Sequence, residues 1–205
     1  MEQATPTTKI KFQQFVKTLY GRILTVHGMV EMAALIALAI VFDLPFLKIR
    51  IGEAQSFSLT MLPLMILALR FPIFDSFIGI GFIYGFITNV IDGYGFNTLP
   101  FDYILAYGSL SVISLFAPLV FKKNKTVLLN FLFLTLAVIA GVTLRILWSS
   151  LSSVIFYETT YWGGIVYNAP TMAISGAVSL SMLFMLYQTL VIFNNKLQKQ
   201  DNTDL

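Results

Sequence analysis

The chain has 205 residues, of which 57% are hydrophobic and only 11% are charged, and its formal net charge is +3. Soluble domains carry roughly 25% charged residues, so this composition excludes an ordinary soluble fold. It indicates an integral membrane protein, in which excess lysine and arginine mark cytoplasmic loops rather than a nucleic-acid surface.

Six apolar runs follow a polar start. Residues 1–22 are expected to form a polar tail and an amphipathic segment on the membrane surface. We predict spans at Leu24–Phe42, Phe57–Leu69, Ile73–Ile91, Tyr103–Phe121, Val127–Ser149 and Tyr167–Phe193. The second run is short and contains Pro63, which indicates a tilted, kinked or partly re-entrant segment. The sequence therefore predicts an all-α membrane protein, with a domain of six transmembrane helices over residues 23–195 and a cytoplasmic tail over residues 196–205.

Basic residues set the predicted orientation of the spans. The N-terminal segment, the turns after the second and fourth runs and the C-terminal tail hold ten of the 13 lysines and arginines. Under the positive-inside rule, both termini are then cytoplasmic. The longer connections, 43–56, 92–100 and 150–166, are predicted to face outward. A site built near them would receive its ligand from outside.

The stretch 89–103 interrupts the apolar pattern with acids, asparagines, tyrosines, glycines and a proline. Within it, Asp102 lies at the predicted outer end of the fourth span. Its carboxylate is either favoured by the helix macrodipole or faces a cationic or hydrogen-bonding ligand, because ionisable groups inside membrane folds are candidates for function. Tyr103 beside it supplies an aromatic face, and Tyr94 lies in a loop that we expect to cover the site.

Arg145 lies about one turn before the predicted outer end of the fifth span. We expect Arg145 to form an ion pair with Asp102, to extend its side chain to the outer membrane interface or to contact the ligand. These roles are compatible with one another. Four more candidate site residues follow on the same outer segment. They are Trp148 with its indole ring, Ser149 and Ser153 with their hydroxyls, and Tyr157 with its phenol ring. The last three recur at a spacing of four, so they share a face if the helix continues. They fit either a ligand site or an aromatic belt with helix packing.

Tyr167 and Asn168 open the sixth span. An asparagine in a membrane helix needs partners for its amide. That amide both donates and accepts, which suits the edge of a heteroaromatic ring, or equally a hydrogen bond between helices. Tyr84 lies in the third span among glycines that we attribute to close helix packing. Ala33 and Ala37 give the first span a strip of small residues at which another helix can approach.

Motifs for catalysis are absent from the sequence. There is no phosphate-binding loop, no zinc-protease motif and no nucleophile elbow. With one histidine and no cysteine, neither a metal site nor a catalytic residue is expected. We therefore predict a carrier or binding subunit that is not an enzyme and has no cofactor.

Three segments together resemble the thiamine-specific S-components of energy-coupling factor (ECF) vitamin transporters. They are Ser58–Arg70 with the glycine-spaced third span, Phe101–Ala106, and Gly141–Tyr157 followed by Tyr167–Pro170. The resemblance implies a six-helix bundle in a bacterial plasma membrane and an outward-facing site for a small vitamin. It also implies a separate transmembrane coupling subunit, which docks on the alanine strip, and two cytoplasmic ATPases.

Some positions of this chain hold the residue expected from the family pattern, and others hold a different residue. Asp102 and Tyr103 stand where the family has a glutamate–tyrosine pair, and Asn168 matches its asparagine. Five positions depart from the family pattern: Tyr84, Ser149, Ser153, Tyr157 and Gly163. These departures leave open thiamine, a related pyrimidine-containing compound or another small heteroaromatic vitamin. A membrane interaction or assembly protein without a solute is the alternative of a different class.

Overall fold

The computed structural model describes residue 23 and the ranges 25–51, 55–93, 95–122 and 126–201, without the side chains of 49–51, 55–56 and 193–201. The tail and amphipathic segment predicted over residues 1–22 lie outside these described residues, and so does Tyr94. The site residues expected elsewhere all fall within them.

Six helices and one hairpin make up the described fold. The helices are α1 (Val26–Phe42), α2 (Met61–Arg70), α3 (Ile73–Asp92), α4 (Leu99–Val120), α5 (Val127–Tyr157) and α6 (Tyr161–Asp201). Between α1 and α2, strand β1 (Ile49–Ile51) pairs with strand β2 (Gln55–Phe57) in an antiparallel hairpin. The prediction of a six-helix membrane fold is confirmed, and the small hairpin was not foreseen.

The helices differ in their ability to cross a bilayer. Helices α3 to α6 are long and apolar enough to span it, whereas α1 and α2 are shorter apolar helices. With 10 residues, α2 is about 15 Å long, roughly half the hydrocarbon core. Eight of those residues are buried, so α2 fills the interior of the bundle. The chain is a multi-pass membrane protein, and the orientation of its termini stays a prediction.

Three predicted boundaries are wrong near the end that carries the candidate site. Helix α5 continues to Tyr157 and α6 begins at Tyr161, so the connection predicted over 150–166 shrinks to three residues. Helix α4 begins at Leu99 rather than Tyr103, because a proline fits the first turn of a helix. Residues expected in loops therefore lie on rigid helix ends.

Helices α3 and α4 pack against each other without intervening side chains. A Cβ atom on Gly81 would lie 2.8 Å from the Ile104 carbonyl oxygen, and one on Gly85 would lie 3.1 Å from the Tyr103 carbonyl. Both contacts fall beside π-helical turns, at Ile78–Tyr84 and at the start of α4. Such turns are frequent at functional sites. The interpretation of these glycines as packing positions is confirmed.

The other end of the bundle is closed by polar contacts. Asn130 on α5 donates a hydrogen bond to the Tyr187 hydroxyl on α6 at 2.8 Å, and Tyr187 donates to the Val120 carbonyl at 2.9 Å. Arg70, at the end of α2, forms a salt bridge with Glu31 on α1. The first two bonds connect α4, α5 and α6, and the salt bridge connects α1 and α2. The candidate site lies at the opposite end of the bundle.

Candidate ligand-binding site

The candidate site lies where the C-terminal ends of α3 and α5 meet the N-terminal ends of α4 and α6. Asp102 is in the π-helical first turns of α4. Ser152 and Ser153 lie on the last turns of α5, and Asn168 lies on the second turn of α6. Four helix ends thus bring polar groups from distant parts of the sequence into one region.

Asp102 is partly buried, and its Oδ2 atom accepts a hydrogen bond of 2.7 Å from the Ser152 hydroxyl. Ser152 itself is buried, so it holds the carboxylate in a fixed orientation. An ion pair with Arg145 was one of the expected roles of that arginine. No salt bridge joins the two residues in the described part of the chain. The carboxylate is therefore oriented by a hydroxyl and has no salt-bridge partner among the described residues.

Tyr103 takes part in a second group of polar contacts at the same end of the bundle. Its hydroxyl donates to Asp92 Oδ2 at 3.1 Å. The Lys48 ammonium lies 4.0 Å from Asp92 Oδ1 and 3.0 Å from Asp43 Oδ1. These contacts join the connection after α1 to the end of α3 and to α4. Lys48 was not predicted as a site residue, because only the tertiary fold brings it close to Asp92, which is distant in the sequence.

Arg145 lies over an aromatic ring instead of a carboxylate. Its Cζ atom is 4.0 Å from the centroid of the Tyr107 ring. That ring meets the Tyr84 ring edge-on at 4.9 Å and lies 6.3 Å from the Tyr103 ring. The cation–π contact and the aromatic contacts fix all four side chains. Sequence reasoning missed Tyr107, although its position one helical turn after Tyr103 was a usable signal.

Asn168 forms the hydrogen bond between helices that was one of its expected roles. Its Nδ2 atom donates to the Ser153 hydroxyl at 3.3 Å, and Ser153 donates to the Ser149 carbonyl at 3.0 Å. Gly164 allows this close approach, because a Cβ atom there would lie 3.0 Å from the carbonyl oxygen of Ser150. The bond uses one N–H of an amide that can form up to four hydrogen bonds.

The remaining expected residues lie at the border of the site. The Trp148 ring is 6.4 Å from the Phe101 ring, which neighbours Asp102. Ser149 is buried, whereas Tyr157 and Tyr167 are 52% and 47% exposed at the ends of α5 and α6. Their role as ligand contacts stays a prediction.

The predicted docking strip lies on the surface of α1. Ala33 and Ala37 are both exposed, while Met32, Ile36 and Ala39 of the same helix are buried. The two alanines therefore belong to the outer face of the helix, where another membrane protein could reach them.

Comparisons with known proteins agree with this architecture. Among solved structures, ThiT from Listeria monocytogenes has a similar fold, with a TM-score of 0.66 and 22% sequence identity over 78% of this chain and 92% of that chain. A search of curated proteins gives no significant match. The family model described as "Thiamine transporter protein (Thia_YuaJ)" matches residues 29–200, which include every described site residue. The chain therefore belongs to the thiamine transporter protein family.

Proposed function

We propose that this chain is the substrate-binding S-component of an ECF-type importer and that it captures thiamine at the site around Asp102. The observation that carries the proposal is the Asp102 carboxylate, which among the described residues has a serine donor and no salt-bridge partner. Thiamine has a cationic thiazolium ring and an amino group on its pyrimidine ring. Both groups favour a carboxylate, and the attraction is stronger away from bulk water.

The neighbouring side chains suit a ligand with two flat rings. Tyr103 follows Asp102 in α4, and the Trp148 ring lies near the ring of Phe101, which precedes Asp102. Aromatic faces attract cations as well as rings. Asn168 is held by Ser153, so its amide is oriented to bond a nitrogen-containing ring edge. Arg145 is held over Tyr107, where it orients that ring and forms no salt bridge with Asp102.

Import would further require the coupling subunit and two ATPases of an ECF module, because the chain has no phosphate-binding loop of its own. The exposed Ala33 and Ala37 support docking on α1, since small residues let a second membrane helix come close. Replacing both by leucine should abolish co-purification with the module and uptake into vesicles while thiamine binding is retained. Ala173 and Ala177 on α6 are also exposed and have the same spacing, so their double leucine variant is the matched control.

A thermal-shift experiment with a panel of vitamins tests the ligand and the site together. A ligand at 100 times its Kd stabilises the folded state by about 2.7 kcal/mol, so thiamine should raise the unfolding temperature of the purified protein. The double variant Asp102→Ala with Asn168→Ala should lose this response. Thiamine stabilisation that survives both changes contradicts the site, and stabilisation by a different heteroaromatic vitamin contradicts the ligand. No response to any vitamin would favour an assembly protein.

A further inference from the structure

An open groove lies on the surface of the bundle at the end opposite to the candidate site. It has a volume of about 630 Å³ and is lined by the beginning of α5 and by one side chain of α6. Its apolar lining includes Leu128, Leu132 and Phe184, and the first two are 79% and 54% exposed. In the hydrocarbon region of a bilayer, such a surface meets acyl chains rather than water. The groove is therefore a place where a lipid can lie against the protein.

The polarity of the groove changes along α5. Thr126 is exposed at one end of the lining, and its hydroxyl does not cap the helix. Thr135 lies nine residues further on, and its hydroxyl donates to the Phe131 carbonyl of the same helix at 2.9 Å. The lining is thus polar at the beginning of α5 and apolar beyond it, as a headgroup and a chain require. Nine residues of helix measure about 14 Å, which is roughly half of the hydrocarbon core and so the depth of one leaflet.

The polar end of the groove adjoins a basic connection. Lys122 is exposed between the end of α4 at Val120 and Thr126, and the first turn of α5 carries no acidic residue. In the sequence, the positions between Lys122 and Thr126 hold two further lysines and no acid. Basic residues at the membrane surface attract anionic headgroups, and this end of the bundle is predicted to be cytoplasmic. The local charge therefore favours an anionic headgroup over a zwitterionic one.

We propose that the groove binds one anionic phospholipid, with its headgroup at Lys122 and Thr126 and an acyl chain along Leu128, Leu132 and Phe184. A protein partner fits the groove less well. A specific interface takes roughly 20–30 residues from each side, whereas seven residues line this groove.

A lipid in the groove would contact aromatic side chains that hold this end of the bundle together. The Phe184 ring packs on the Phe131 ring with 4.7 Å between their centroids, and Phe131 meets the Tyr187 ring edge-on at 5.1 Å. Tyr187 in turn bonds Asn130 and the Val120 carbonyl. A lipid that binds the folded protein here stabilises it, so its effect is measurable as a rise in the unfolding temperature.

Two phospholipids with identical acyl chains test the selection of the headgroup. The probes are phosphatidylglycerol, which is anionic, and phosphatidylcholine, which is zwitterionic, each titrated in detergent into the delipidated full-length protein. Native mass spectrometry measures lipid binding, and thermal unfolding measures the stabilisation. The wild type should bind phosphatidylglycerol about fivefold or more tightly than phosphatidylcholine, as expected for at least one lysine beside the headgroup. Lys122→Gln should reduce this preference about fivefold and leave the binding of phosphatidylcholine unchanged.

A second variant tests the groove itself. Leu132→Trp fills the groove with a larger side chain and should weaken the binding of both lipids. Leu115→Trp on α4 is the matched control, because Leu115 is similarly exposed, at 58%, and does not line the groove. It should leave both affinities unchanged. Thermal unfolding without added lipid verifies that each variant is folded.

The possible outcomes separate the lipid from other occupants. Equal affinity of the wild type for the two lipids overturns the proposal, and so does a preference that persists in Lys122→Gln. Binding that Leu132→Trp does not weaken reflects general contact with lipid and overturns the groove as the site. Loss of a dimer or of co-purification with the ECF module in Leu132→Trp, with unchanged lipid binding, assigns the groove to a protein and refutes the proposal. Thiamine binding is measured separately at the other end of the bundle, so the proposed function stands whichever of these results is obtained.

Discussion

Gly85 offers a sharp test of the packing that positions Tyr103 and Asp102. An alanine Cβ there would lie 3.1 Å from the carbonyl carbon and oxygen of Tyr103, and backbone atoms cannot rotate away as a side chain does. Overpacking costs roughly 1–3 kcal/mol, whereas alanine gains about 0.5–1 kcal/mol over glycine inside a helix. The net loss of unfolding free energy is therefore about 0–2.5 kcal/mol. Thiamine affinity should fall as well, because the start of α4 must move.

Gly79→Ala is the matched control on the same helix. Its Cβ would meet the Met32 side chain, with the sulfur at 2.9 Å, and a flexible methionine can move aside. The control should therefore be neutral or stabilising and should bind thiamine normally. Thermal unfolding in detergent, with and without thiamine, measures both effects. A Gly85→Ala protein that is as stable as Gly79→Ala and binds thiamine equally well would refute the reasoning.

Three further variants probe single contacts. Ser152→Ala removes the donor to Asp102 and should weaken thiamine about fivefold, and an unchanged Kd in a binding titration would contradict this. Tyr187→Phe leaves its buried amide and carbonyl partners unsatisfied, so the unfolding temperature should fall while the Kd of thiamine stays constant. A changed Kd would show that the two ends of the bundle are coupled. Lys48→Gln leaves Asp92 without its cation, and stopped-flow dissociation of thiamine should accelerate by up to about fivefold. An unchanged rate would show that this salt bridge does not hold the bound state.

The helix count and the region of the site were readable from the sequence for a physical reason. An apolar run that is long enough to cross a membrane can adopt few structures other than a helix, because its backbone groups must form hydrogen bonds within the protein. A carboxylate or an amide in such a run is costly and so stands out. Asp102 and Asn168 were found in this way, and the structure places both of them at neighbouring helix ends.

Helix boundaries were harder to predict, because hydropathy falls at the membrane interface before the helix ends. The predicted spans stopped at Ser149 and restarted at Tyr167, whereas the helices continue to Tyr157 and restart at Tyr161. The serines, tyrosines and tryptophan of this region are polar enough to suggest a loop. Their backbone hydrogen bonds nevertheless continue the helices.

Contacts between side chains of different helices could not be predicted from the sequence either. Asp102 and Arg145 were placed at the same membrane depth, which made an ion pair reasonable. Sequence spacing does not fix the rotation of one helix relative to another, and in the structure Arg145 lies over Tyr107 while Asp102 bonds Ser152. The placement of Lys48 between two carboxylates depends on the same long-range geometry.

Equilibrium binding of labelled thiamine to the purified full-length protein tests the central claim most directly. The wild type should show one saturable site. Asp102→Asn should weaken binding roughly 10- to 150-fold, as expected for a hydrogen bond to a charged group. Glu158→Gln removes the same charge at an exposed position at the end of α5 and should change nothing. No saturable binding by the wild type, or equal affinity in Asp102→Asn, would contradict the account.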